Sequence, residues 1–94
     1  MLKKIHVTQE DIKNGKDRDY NSCPIALAMK RELNTDRVVV DYSTSTYCLC
    51  KDIRHECGCN GFNNSSRMKR FIDRFDNYKH VRPTTFIINL KEIL

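Results

Sequence analysis

The sequence predicts a small α+β domain: an antiparallel sheet of about four strands with two helices on one face. Two segments repeat apolar residues at helical spacing, and four others have the alternation or β-branched content of strands. They follow one another as strand, helix, strand, strand, helix, strand. That order is the split β-α-β arrangement of ferredoxin-like folds. A chain of 94 residues suffices for one small domain and not for two, so a single unit is expected over 1–94.

Ile5 and Val7 alternate with Lys4, His6 and Thr8 and predict the first strand. Thr8 with Asp11 three residues later approximates a capping box, which starts a short turn over Gln9–Asn14; Gly15 suits a left-handed exit from it. Cys23 falls at the N-cap of the first full helix, and Pro24 at its first position, where a missing N–H costs nothing. Ile25, Ala28, Met29 and Leu33 then recur on one face, with Lys30, Arg31 and Glu32 turned outward. Arg37–Tyr42 reads as a strand, Ser43–Ser45 as a reversal and Thr46–Ile53 as the returning strand. His55–Asn64 has neither period; it is a loop, or a hairpin arm pairing back on Cys48–Cys50.

In the second helix Met68, Phe71, Ile72 and Phe75 stand at i, i+3, i+4 and i+7, with Tyr78 extending the face and Ser65 or Ser66 as N-cap. After Pro83, the residues Thr84, Phe86, Ile88 and Leu90 form one face of a last strand, Thr84–Leu90. Left exposed as an edge, that strand offers a route to a homodimer.

Hydrophobic residues make up 39% and charged residues 31%, too apolar a balance for a disordered tail. No apolar run approaches the roughly 18 residues of a membrane span, and Met1–His6 lacks a secretion signal's apolar stretch. A soluble, cytoplasmic domain without a membrane partner is expected. The net charge of +5 is uneven: residues 1–50 carry eight basic and seven acidic side chains, residues 51–94 nine and five. An anionic partner would therefore be steered to the second half.

Cys48, Cys50, Cys57 and Cys59 are spaced C-x-C-x6-C-x-C, with His55 between the pairs. Four thiolates form a closed tetrahedral shell for zinc, which would be structural because no position is left for water. The spacing is not that of a C-x2-C knuckle, and the alternative is reduced thiols acting as small apolar fillers. Disulfides are not expected without a secretory route. Cys23 is the fifth cysteine. A helix N-terminus favours its thiolate, and a nucleophile would need His6, His55 or His80 as base; the alternative is a capping and core residue. No G-x-S-x-G, P-loop, H-E-x-x-H or paired-carboxylate signature appears, so binding is expected and catalysis is not.

On a helical wheel Arg67, Arg70 and Arg74 fall within about 60° of one another along one border of the apolar face. Lys79, His80 and Arg82 continue the positive charge beyond the helix end. Guanidinium groups in a row can grip phosphates or carboxylates bidentately. Arg67, Arg70, Arg74, Lys79 and Arg82 are thus the candidate binding residues; the alternative is arginine stems covering an apolar stripe for solubility.

Three blocks of the chain are Val7–Ile12 with Gly15, Cys23–Ala28, and Phe71–Asp76 with Val81, Pro83 and Phe86. Together they resemble a family of small phage-encoded proteins without an established activity. The resemblance implies an accessory protein acting in the cytoplasm of an infected host. Such proteins commonly act by stoichiometric binding, and blocking a host enzyme or defence complex, as anti-CRISPR proteins do, is the leading expectation. A small nucleic-acid- or nucleotide-binding module, with or without structural zinc, is the alternative.

Overall fold

The computed structural model describes residues 2–49 and 60–90. Its elements are β1 (Leu2–Val7), α1 (Gln9–Asn14), α2 (Pro24–Leu33), β2 (Val38–Val40), β3 (Thr44–Tyr47), β4 (Asn60–Asn63), α3 (Ser66–Asp76) and β5 (Thr84–Asn89). The α+β class and the antiparallel pairing are as predicted. The strands form two sheets, however, where one was expected: β1 pairs with β5, and β2, β3 and β4 form a second sheet in that order.

The reason is edge occupancy. A strand has two hydrogen-bonding edges, and a single four-stranded sheet of the predicted order would need β3 beside β1. One edge of β3 is taken by β2, with Val39 opposite Thr46, and the other by β4, with Gly61 opposite Thr46. The far edge of β2 is covered as well, because the Val40 amide donates to the Tyr20 carbonyl at 2.8 Å. The returning strand therefore begins at Thr44, two residues before the predicted start, and the arm predicted within 55–64 pairs with Thr44–Tyr47. The reversal moves to residues 41–43, closed by the Asp41 amide on the Thr44 carbonyl at 2.8 Å.

Local signals set the helix starts. The Thr8 amide donates to the Asp11 carboxylate at 2.9 Å and the Asp11 amide to the Thr8 hydroxyl at 3.2 Å, which completes the capping box. Cys23 and Ser65 cap α2 and α3, their side chains accepting from the amides of Ala26 and Met68. Two ends differ from expectation. Gly15 is extended (φ −69°, ψ 149°), not left-handed. It is required for space: a Cβ there would stand 2.6 Å from Pro24 Cδ and 2.8 Å from the Asp11 carbonyl. Tyr78 does not extend the apolar face of α3, being 81% exposed. It is the left-handed residue (φ 60°) of the turn that ends the helix, where the Lys79 amide reaches the Arg74 carbonyl at 2.8 Å.

One buried cluster joins both sheets and two helices: Ile5 and Val7 of β1, Ile25 and Met29 of α2, Val38 and Tyr47, Met68 and Phe71 of α3, and Phe86 and Ile88 of β5. No helix among the described residues is long and apolar enough to cross a membrane.

Candidate functional site: an arginine-lined groove

The start of α3 is fixed by a buried asparagine. Asn64 accepts from the Ser45 hydroxyl at 2.6 Å and donates to the carbonyls of Asp41 at 2.6 Å and Tyr42 at 3.0 Å. It ties the 41–43 reversal to the residue before the Ser65 cap, and so sets where the helix begins. Met68, Phe71 and Ile72 then turn into the core, which leaves Arg67, Arg70 and Arg74 along one border. The turn at Tyr78 sends the chain back beside that border, and Val81 tucks in at 8% exposure before β5 begins.

Between α3 and this returning segment lies a groove of about 500 Å³. Arg67, Arg70 and Arg74 line it from the helix, and His80 and Arg82 from the return. Its apolar lining comes from Phe71, Val81, Pro83 and Phe86, and no acidic side chain among the described residues lines it. The predicted row is therefore brought together with Arg82. Lys79, also predicted, is exposed and is not among the lining residues.

The four arginines are held differently. Arg67 donates to the Thr84 hydroxyl at 2.9 Å and the Thr85 carbonyl at 3.4 Å, with its guanidinium 5.4 Å from the centre of the Phe86 ring. Arg74 closes on the His80 carbonyl through Nε at 3.2 Å and Nη2 at 2.9 Å. Both tethers leave guanidinium donors unused, since the fork carries five. Arg70 and Arg82 make no hydrogen bond or ion pair with any described residue. None of the four has a carboxylate partner among the described residues. Two residues of the site had weaker sequence signals: Phe71 and Phe86 read as core, and their edge-on contact at 5.9 Å also forms the base of the groove.

A second cavity of about 290 Å³ contains Cys23, with Asp19, Asp41 and Asp76 among its lining residues and no histidine among the described residues. Cys23 is 7% exposed, and its sulfur accepts from the Ala26 amide at 3.4 Å. Burial pushes its pKa up, and the Asp76 and Asp19 charges act in the same direction. The geometry thus gives Cys23 the capping and packing role. Of the predicted metal ligands, Cys48 is fully buried next to β3. Cys50, Cys57, Cys59 and His55 lie outside the described residues.

No protein family, curated protein or solved structure matches this chain.

Proposed function

We propose that the chain is a stoichiometric binding protein that inhibits a host enzyme or defence complex, with the groove between α3 and β5 as its contact surface. The observation that carries this reading is the set of four arginines around one groove without a carboxylate partner among the described residues. Like charges gathered without counter-ions oppose folding, so their collection at one place is accounted for by an anionic partner that supplies the counter-charge. The resemblance of three sequence blocks to phage-encoded proteins supports the choice of a host target. The aromatic rings of the groove, Phe71 and Phe86, are 7% and 3% exposed. They offer little face for stacking bases, which favours a protein partner over the nucleic-acid or nucleotide module.

The test is affinity purification from a bacterial host extract with the wild type and the R70E/R82E double variant side by side. These two residues make no hydrogen bond or ion pair with any described residue. A partner held at near-equal stoichiometry by the wild type and lost by the variant is expected. A partner retained equally by both would overturn the assignment of the surface. Recovery of nucleic acid alone, with affinity falling steeply between low and physiological salt, would move the assignment to the nucleic-acid module.

A further inference from the structure

We infer that the groove takes an acidic peptide segment of the partner in which one large apolar side chain is flanked by carboxylates; this rests on the binding reading above. The lining carries two chemistries at once. Arg70 lines the groove from the helix and Arg82 from the return, and the apolar lining is the exposed Pro83 with the small exposed fractions of Phe71, Val81 and Phe86. A bare anion would use the rim and leave the apolar surface wet. A purely apolar side chain would cover that surface and leave four guanidinium groups without counter-charge. A segment with an apolar anchor between acidic residues satisfies both.

The tethers divide the labour. Arg67 and Arg74, one helical turn to either side of Arg70, are tied to the chain at Thr84 and at His80. Their guanidinium planes are held in place before any ligand arrives, which lowers the ordering cost of binding. Arg70 and Arg82 have no such tie among the described residues and are free to close on carboxylates bidentately. With about 500 Å³ between the walls, the groove has room for a large side chain together with the acidic groups beside it.

The experiment is a ¹⁵N NMR titration of the whole chain with two short synthetic peptides. One has glutamates on both sides of a central leucine; the other has serine in place of the leucine. A short oligothymidylate and inorganic phosphate are run in parallel. The leucine peptide is expected to shift amides in 67–74 and 80–86 and to bind about tenfold more tightly than the serine peptide, the gain of burying one aliphatic side chain. The R70E/R82E variant should lose at least about tenfold in affinity for the leucine peptide. The neutral R70Q/R82Q variant should show an intermediate loss with an unchanged spectrum elsewhere, which separates lost contacts from lost fold.

Equal binding of both peptides, or of neither, would overturn the inference, as would tighter binding of oligothymidylate or phosphate than of the leucine peptide. If neither peptide binds while R70E/R82E still abolishes capture of the host partner, the binding reading stands and the acidic-anchor inference falls. If the variant retains the partner, the binding reading itself falls.

Discussion

Two corners of this small molecule use arginine in opposite ways. At the α1–α2 corner Arg31 is spent on the fold: it reaches the Asp11 carboxylate at 2.7 and 3.1 Å and the His6 carbonyl at 2.7 Å. Asp11 is itself buried and closes the Thr8 capping box. One arginine thus ties β1, α1 and α2 together, by a hydrogen bond to the first and an ion pair between the other two. At the α3 groove Arg70 and Arg82 have no hydrogen-bond or ion-pair partner among the described residues, and Arg67 and Arg74 donate to neutral oxygens, with Arg67 also over the Phe86 ring. The difference teaches that a count of basic residues says little about binding; what matters is where the counter-ions lie. In the first corner the chain supplies the carboxylate; in the second no described residue does.

The largest expected effect lies in the paired corner. Arg31→Ala leaves a buried carboxylate with only the Thr8 hydrogen bonds and strips the His6 carbonyl of its donor. Breaking a fully buried pair costs more, but the Arg31 side chain is 45% exposed, so a loss of about 2–3 kcal/mol is expected in urea denaturation. A loss below about 0.5 kcal/mol would place this pair among ordinary surface contacts and break the comparison. Next is Gly15→Ala, whose methyl would press on Pro24 Cδ at 2.6 Å and Cγ at 2.7 Å. The joint between α1 and α2 would have to open, at about 1–3 kcal/mol by the same measurement.

The same corner should respond to acid. Burial acts to raise the Asp11 pKa, but hydrogen bonds from Arg31 and Thr8, with the Arg31 charge, outweigh it and hold the carboxyl below its ordinary 3.8. Its folded pKa therefore lies below the unfolded one. The stabilisation is complete above the unfolded value and is lost as pH falls through the folded value. Denaturation from about pH 5 downward should show this fall in the wild type and a shallower one in R31A; equal slopes would remove Asp11 as the cause. On the groove side Ser65→Ala, which removes the cap on Met68, is expected to cost about 1 kcal/mol. It should also perturb the amide resonances of 67–74.

What the sequence showed and what it hid divides along the range of the interactions. The capping box at Thr8 and Asp11, the Cys23–Pro24 start of α2, the Ser65 cap and the alternation through Phe86 and Ile88 are set within a few residues, and all appear as expected. Gly15 departs from its local signal because its constraint comes from Pro24, nine positions away. Arg31 read as an outward-facing residue because Asp11 lies twenty positions upstream. The division into two sheets depends on Asn60–Asn63 capturing the second edge of β3, in a stretch without strand periodicity. For the site, helical geometry alone placed Arg67, Arg70 and Arg74 together. The opposite wall needed the turn at Tyr78, whose left-handed backbone no glycine announced.

The smallest expected effect is the most direct test of the central claim, that the groove arginines serve a partner and not the fold. Urea denaturation of R70A/R82A against the wild type would measure it. With no hydrogen-bond or ion-pair partner among the described residues to lose and two like charges removed, the variant should match the wild type within about 0.5 kcal/mol or exceed it. A loss above about 1 kcal/mol would contradict the account, because it would make Arg70 and Arg82 structural in the way Arg31 is.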